Sequence, residues 1–393
     1  MTAGTPSTFF SPCGPGFEPA LAEELRAIGA SEVAEKRGGV EFRGDASVAR
    51  KACLWLRTAI RVQELLWKGP VRGPRELYAG AAEVDWPKFL DPGFTLAVDA
   101  SVRDSEITHS GFAALTVKDA IVDKLRDHFG ERPSVDTQDP DLPLKLVLKR
   151  DEALLYRDWA GESLHKRGYR PIQVKSPLNE ATAAGILMLA GWDRKTPLAD
   201  PMCGSATLLI EAAMWAAERA PGLNRRFAFE RWLDLDEAAW GQERDEAKRR
   251  AKARLPFAIM GADRHPGAVA LAKKSVVAAQ VDRLVTIEQA DAKDWKPAVA
   301  PAAVFTNPPY GERLGEGNDL EESWKALGNF LHRCEGATAF VLCGNAELTK
   351  FLGLRAAKKW PVMNGPIDCR LVRYEIGKER RGSGKDGIGM GRG

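Results

Sequence analysis

After residue 176 the chain alternates short apolar runs with helical patterns: "PLAD" then "ATLLIEAAMWAAERA", "FAIMGAD" then "PGAVALAKKSVVAAQ", followed by "LVTIEQAD", "AAVFTN" and "ATAFVLCG". Short strands separated by helices specify a mostly parallel sheet covered on both faces, because parallel neighbours can be joined only by a crossover. The closing stretch "AAKKWPVMNGPIDCRLVRYEIG" carries an Asn-Gly turn signal before "CRLVRYEI" and predicts an antiparallel hairpin at the sheet edge.

Ligands of such sheets bind beyond the carboxyl ends of the strands. Those ends read "DPMCGSA", "GADRHP", "QADAKDW" and "TNPPYG", and they place Asp200, Asp263, Asp291 and Asn307 at four corners, 63, 28 and 16 residues apart. Each spacing is long enough to bring the chain back to the same edge. In the first corner Pro201, Met202, Cys203, Gly204 and Ser205 lead into a helix, so backbone N–H groups can approach a ligand closely. A carboxylate after the second strand typically takes ribose hydroxyls, a role that suits Asp263, while Asp291 is placed to accept from an adenine amine. A lone acid at a strand end is more often a helix cap; four polar corners in strand order favour the ligand reading. The first loop has neither the G-x-G-x-x-G fingerprint nor the Gly-Lys-Ser/Thr of a phosphate-gripping loop. The expected cofactor is therefore an adenosine without phosphates, S-adenosyl-L-methionine.

The fourth corner, "FTNPPYGERLGE", supplies a second half of a site. The lone pair of an exocyclic base amine is delocalised into the ring, and two acceptors holding its hydrogens can turn that pair toward an electrophilic methyl. Asn307 offers a side-chain carbonyl and also adjoins the cofactor, Pro308 offers a backbone carbonyl, and Tyr310 offers a ring on which a base can stack. The prolines fix φ and remove competing N–H donors. A rigid strand-ending turn is the plainer explanation, but it does not require an amide and an aromatic ring together.

The N-terminal part is less regular. Strands "STFFSPC" and "GGVEFRG" flank the helix "PALAEELRAIGA", and "ASVARKACLWLRTAIRVQELLWKG" reads as helical, which makes a small α+β unit over 1–70. "GPVRGP" at 69–74 reads as a connection to a second α+β unit over 71–165, with strands "FTLAVDASV" and "LPLKLVLKRDEALLYRDWA" around the helix "AALTVKDAIVDKLRDHF". The catalytic sheet would then occupy 166–378, and 379–393 form a Gly-rich basic tail expected to be disordered.

Net charge is +3, from 57 Lys and Arg against 54 Asp and Glu, so overall charge does not announce a nucleic-acid partner. Locally, "HKRGYRPIQVK" gathers Lys166, Arg167, Arg170 and Lys175 around Tyr169 without an acid, a composition suited to phosphate contact and base stacking on RNA; a solvated basic linker has the same composition. Six scattered cysteines without a CxxC pair fit reduced cytoplasmic thiols better than disulfides or a zinc cluster, and five histidines show no metal-ligand spacing. No apolar run reaches membrane-spanning length, and the N-terminus does not resemble a secretion signal, so neither a metal nor a membrane is expected.

"RPSVDTQDPDLPLKLVL", "GESLHKRGYR", "SPLNEATAAGILMLAGW", "DPMCGSATLLIEAAMWAAERAPGL" and "TNPPYGERLG" together resemble the THUMP-domain RNA methyltransferases of the class I, Rossmann-like fold, in particular the bacterial 23S rRNA (guanine-N2)-methyltransferases. The likeness covers nearly the whole chain. It implies a ferredoxin-like first unit, a THUMP RNA-binding second unit, cofactor contacts from Asp200 to Ser205, Asp263 and Asp291, and a target amine received by Asn307, Pro308 and Tyr310. Its partner would be 23S rRNA or a ribosomal assembly intermediate. Two departures stand out: Ala206 replaces the family's usual glycine, and only the basic tail follows Tyr374 where some relatives carry a further methyltransferase domain, so a second activity is not expected. "ERAPGLNRRFAFERWLDLDEAAWGQERDEAKRRAKARLP" resembles the family's insertion, with Trp232 and Trp240 expected to be packing anchors. A tRNA guanine, another base amine, a glutamine amide, or a non-catalytic RNA-binding assembly role remain open alternatives.

Overall fold

Alternation and turn chemistry translate into two sheets. The computed structural model describes residues 6–170, 178–311 and 317–377; Lys175 and the tail 379–393 lie outside them. The first part runs β1 (Ser7–Pro12), α1 (Glu18–Ala27), β2 (Ser31–Lys36), β3 (Gly39–Gly44), α2 (Ala46–Trp55), β4 (Gln63–Pro70), α3 (Pro74–Glu83), β5 (Thr95–Arg103), α4 (Ser110–Phe129), β6 (Ser134–Val135), β7 (Leu142–Lys149) and β8 (Glu152–Asp158). The second part runs α5 (Glu180–Leu189), β9 (Leu198–Asp200), α6 (Thr207–Ala216), α7 (Glu237–Arg250), β10 (Ile259–Asp263), α8 (Pro266–Ala278), β11 (Val285–Gln289), β12 (Ala303–Thr306), α9 (Gly317–Arg333), β13 (Thr338–Cys343), β14 (Ala356–Asn364) and β15 (Ile367–Glu375).

The two N-terminal units share one sheet, in the order β2-β3-β1-β4-β8-β7-β5-β6. The join is the antiparallel pair β4–β8, with Gln63 opposite Asp158 and Pro70 opposite Glu152. This corrects two readings. "VQELLWKG" is not helical: α2 stops at Trp55, where Leu56 turns extended, and the following apolar residues enter the sheet as β4. The Gly and Pro at 69–70 belong to that strand, whose last residue can be Pro because no further ladder N–H is needed there. Asp45 caps α2 by accepting from the Val48 N–H.

The second sheet has the order β11-β10-β9-β12-β13-β15-β14, parallel from β11 to β13, with β15 antiparallel to both β13 and β14. The hairpin follows the Asn-Gly signal, with Asn364 paired to Ile367 and the positive φ carried by Gly365. The strand order reverses at β9, which lies between β10 and β12; that switch point is where an open sheet leaves a crevice. No helix among the described residues is long and apolar enough to cross a membrane.

The insertion between α6 and β10 clamps the two parts together. Trp232 and Trp240 are buried packing anchors: Trp240 lies edge-on to Phe227 and Phe229, while Trp232 packs against Trp159 and donates from Nε1 to the Asp141 carbonyl at 2.8 Å. Arg157 of β8 lies among the rings of Phe89, Trp159 and Trp232 and is held by Glu64 at 2.7 Å and Asp234 at 2.8 Å. On the opposite flank, Arg50 of α2 donates twice to Glu243 of α7, at 2.8 and 3.1 Å, and Ser47 adds a third bond at 2.8 Å.

Replacing Glu243 by Ala leaves the Arg50 guanidinium, 6% exposed, without its partner. Removal of one member of a buried pair costs about 3–5 kcal/mol. Urea unfolding of Glu243→Ala is expected to show that loss, and a change below about 1 kcal/mol, the range of an exposed pair, would mean that the bridge contributes little to the clamp.

Candidate active site

The corners meet where the parallel strands end. Asp263 ends β10, and its carboxylate spans two loops: Oδ2 accepts from the Gly204 N–H and Oδ1 from the His265 N–H, each at 2.9 Å. Its backbone carbonyl accepts from the Ala290 N–H at 3.1 Å, which ties in the corner after β11. Each carboxylate oxygen keeps a second lone pair, so a ribose hydroxyl can still be accepted there. Asp291 is half-buried and accepts from the Lys293 N–H at 3.0 Å.

Asp200, 2% exposed, accepts from the Met202 N–H at 3.1 Å. Burial pushes its carboxyl up to about 7, against the opposing pull of the Thr306 hydroxyl and the Met202 N–H; the nearby Asp263 charge adds to the rise. Pro201 and Cys203 are buried, whereas Met202, Gly204 and Ser205 are half-buried and form the accessible part of the loop. Cys203 is fixed to β10 by its N–H, which donates to the Ala262 carbonyl at 2.9 Å. The turn into α6 needs left-handed backbone twice, at Gly204 (φ 53°) and Ala206 (φ 64°). At the second position an L side chain is strained, which fits the glycine that the family resemblance leads one to expect there.

At the fourth corner Asn307 is half-buried, and its Oδ1 is shielded from solvent with no hydrogen-bond partner among the described residues. A buried acceptor left unpaired is unusual and calls for an explanation. The adjoining backbone is fixed from outside: Trp324 of α9 donates from Nε1 to the Pro309 carbonyl at 2.7 Å. The Pro308 carbonyl accepts no bond from the described residues. Tyr310 is half-buried, and its hydroxyl accepts from Asn364 Nδ2 at 2.7 Å. Asp200, Asp263 and Asn307 thus gather at the switch point with the 201–205 loop, and Asp291 stands one strand further along the same edge.

The basic stretch behaves differently from its composition. Arg167 is buried: it donates to the backbone carbonyls of Leu164 and Arg57, and its Nε lies 3.5 Å from Glu211 of α6. Tyr169 is buried with its hydroxyl 3.1 Å from the same carboxylate, and burial pushes the phenol well above its usual range. Arg170 donates to Thr207 Oγ1 at 3.0 Å and to the Leu178 carbonyl, and pairs with Glu180 at 3.1 Å. These three side chains are internal struts, which corrects their reading as RNA contacts; among the described basic residues of the stretch only Lys166 is exposed, beside Glu162 at 2.9 Å. The sequence reading also passed over Thr306, Trp324 and Asn364. No helix is read from the sequence between "TNPPYG" and "ATAFVLCG", where Trp324 stands, and Asn364 enters only as a turn signal.

Two measurements follow from this geometry. Ala206→Gly exchanges a left-handed strain of about 1–2 kcal/mol for the loss of one buried methyl, about 0.8 kcal/mol; denaturant unfolding is expected to show equal or slightly higher stability, and a clear loss would contradict the strain. For Asp200 the folded carboxyl is raised from 3.8 to about 7. The folded chain therefore holds this proton more tightly than the unfolded one, so its contribution to stability is complete below about pH 4 and is lost as pH rises through about 7. Asp200→Asn removes that slope. Melting curves across this range should converge at acid pH and separate in favour of the variant near pH 8; parallel curves would contradict the raised value.

Known proteins share this frame. Residues 8–63 match the RlmL ferredoxin-like domain, 73–158 the THUMP domain and 167–373 the family described as RMKL-like, methyltransferase domain. Among curated relatives, the ribosomal RNA large subunit methyltransferase K/L of Syntrophotalea carbinolica is 43% identical over 389 residues, which cover 95% of this chain and 54% of the relative. The chain spans about half the length of the curated relatives it matches. A candidate methyltransferase solved as a complex with SAH is 30% identical, with a TM-score of 0.87 over 96% of this chain and 99% of that one. A candidate N6-adenine-specific DNA methylase from Listeria monocytogenes is 28% identical, with a TM-score of 0.86 over 94% of this chain and 96% of that one. With its sheet order, its polar corner at the switch point and these matches, the chain belongs to the RMKL-like methyltransferase family, with RlmL ferredoxin-like and THUMP domains ahead of the catalytic sheet.

Proposed function

We propose that the chain transfers a methyl group from S-adenosyl-L-methionine to the exocyclic N2 amine of a guanosine in 23S rRNA, free or within a ribosomal assembly intermediate in the cytoplasm. The observation that carries this reading is the buried Oδ1 of Asn307 at the strand switch point, which has no partner among the described residues. With the Pro308 carbonyl, which accepts no bond from them either, it offers the two acceptors that a planar amine needs before its lone pair can be aimed.

Asp263 and Asp291 would hold the ribose and adenine of the cofactor, and the accessible backbone of Met202 to Ser205 its remainder; when bound, S-adenosyl-L-methionine supplies an electrophilic methyl. The residues present fit such a group, since the acceptors line one edge and no phosphate-binding signature stands among them. Asn307 and Pro308 would hold the amine hydrogens, and Tyr310 would give the base a surface. A base presented this way must leave its helix stack. The THUMP domain and the names of the curated relatives support a ribosomal RNA substrate. Of the basic stretch, Lys166 alone is retained as an RNA contact. The same pair of acceptors would serve the N6 amine of adenine, and the Listeria neighbour's name keeps that second reading open; mass spectrometry of nucleosides from the treated RNA distinguishes the two products.

Asn307→Ala is expected to lower single-turnover transfer of labelled methyl to unmodified large-subunit rRNA by roughly 10²–10³, the effect of deleting one positioned polar group, with the fold and most rRNA affinity retained. Near-normal transfer would overturn the mechanism. Asp263→Asn places an amide where two backbone N–H groups need acceptors, so it is expected to weaken S-adenosyl-L-methionine binding by on the order of 1.5–3 kcal/mol, measured by calorimetric titration. An unchanged dissociation constant would remove Asp263 from the site. Failure of the unmutated chain to bind cofactor at millimolar concentration would favour a non-catalytic RNA-binding role.

A further inference from the structure

We propose that Asn364, at the turn of the β14–β15 hairpin, is a positioning residue for methyl transfer: it fixes the Tyr310 ring that receives the target base. The inference rests on the function proposed above and assigns the edge hairpin a part in it.

The ring is held at two points. Asn364 Nδ2 donates to the Tyr310 hydroxyl at 2.7 Å, and Cys369 Sγ of β15 lies 3.8 Å from the same oxygen. Gly344, immediately after β13, provides the wall: a β-carbon there would come within 2.4 Å of Cδ2 and 2.6 Å of Cε2 of the ring. Gly344 is outside the left-handed region, so what it supplies is space for the ring rather than conformational freedom. Nor does the turn account for Asn364. It is the last residue of β14, paired with Ile367, and the left-handed backbone falls on Gly365.

Two consequences follow for recognition. With its hydroxyl drawn to the hairpin, where it accepts from Asn364, Tyr310 offers the face of its ring to a base. The corner is also braced from both sides, its backbone through Trp324 and Pro309 and its ring through Asn364. Such bracing removes rotational freedom that a bound base would otherwise have to order.

A double-mutant cycle in the full chain tests the link. Asn364→Leu and Tyr310→Phe are each expected to slow single-turnover transfer at saturating rRNA roughly three- to tenfold, the worth of one hydrogen bond. The dissociation constant for S-adenosyl-L-methionine is expected to stay within about twofold of the unmutated value, and the double variant to be no slower than the slower single one. Asn364→Leu at the unmutated rate, or its full effect persisting in the Tyr310→Phe background, would overturn the proposal. Should Asn364→Leu fold poorly, Gly344→Ala gives the same reading: it is expected to slow transfer while the ring is present and to add nothing to Tyr310→Ala, and an independent loss there counts against the link. Asn307→Ala measured alongside separates the two failures. Normal transfer by that variant defeats the functional reading, whereas a dead Asn307→Ala with an additive Asn364 cycle defeats only the positioning role.

Discussion

The carboxylate of Asp263 is the interaction on which the site depends. Three parallel strands that end side by side leave backbone N–H groups with no ladder to enter, and this one side chain accepts two of them, from Gly204 and His265. Its own carbonyl accepts a third, from Ala290. Loops that would otherwise be shaped only by their own turns are therefore shaped by one another. The left-handed conformation of Ala206 is tolerated in that setting: the loop is pinned at Gly204, and the Ala206 N–H bonds to the Cys203 carbonyl at 2.8 Å. Unfavourable backbone of this kind persists where its surroundings over-determine it.

A second set of buried charges joins this edge to the N-terminal units. Glu211 lies on α6, one turn beyond Thr207, and takes Arg167 and Tyr169; Thr207 takes Arg170 and lies 3.2 Å from Ser205. Arg167 reaches back to the Arg57 carbonyl, and Arg57 donates to the carbonyls of Met214 and Arg219. The strand-end loop, the linker and the ferredoxin-like unit thus meet in a polar cluster centred on the buried side chains of Arg57, Arg167, Tyr169 and Glu211. Groups of this kind are stable only with most partners in place, so the N-terminal units are part of the catalytic sheet's support rather than appendages to it.

The catalytic sheet was legible because its signal is local: strand–helix alternation and the residues at strand ends are read within a few positions of one another, and the Asn-Gly turn fell at the hairpin. The first sheet was less so. "VQELLWKG" joins a helical pattern without a strong stop, and an apolar run of that length serves either state; the pairing of β4 with β8, some ninety residues on, decides it. The basic stretch failed for a related reason. Composition records Arg167, Tyr169 and Arg170 but not the carboxylates that turn them inward: Glu211, set about forty residues later in an apolar helix, for Arg167 and Tyr169, and Glu180 for Arg170. At the site, sequence supplied the groups that face a ligand and missed those that hold them, because Trp324 stands on a helix, α9, that was not read from the sequence, and Asn364 was already explained as a turn signal.

The last corner shows what that holding accomplishes. Within four residues, the Pro309 carbonyl accepts from Trp324 and the Tyr310 hydroxyl from Asn364, while Asn307 Oδ1 has no partner among the described residues. An unpaired buried acceptor costs about 1–3 kcal/mol, and a free side chain would relieve that cost by rotating toward a donor. The two prolines cannot be those donors, having no N–H, and the Trp324 indole N–H is already committed to the Pro309 carbonyl. The bracing of Pro309 and Tyr310 therefore narrows the local means by which Asn307 could be satisfied. A donor brought by a ligand would meet an acceptor whose desolvation has already been incurred in folding, so the bond would form at nearly full strength, and only for a group that can donate.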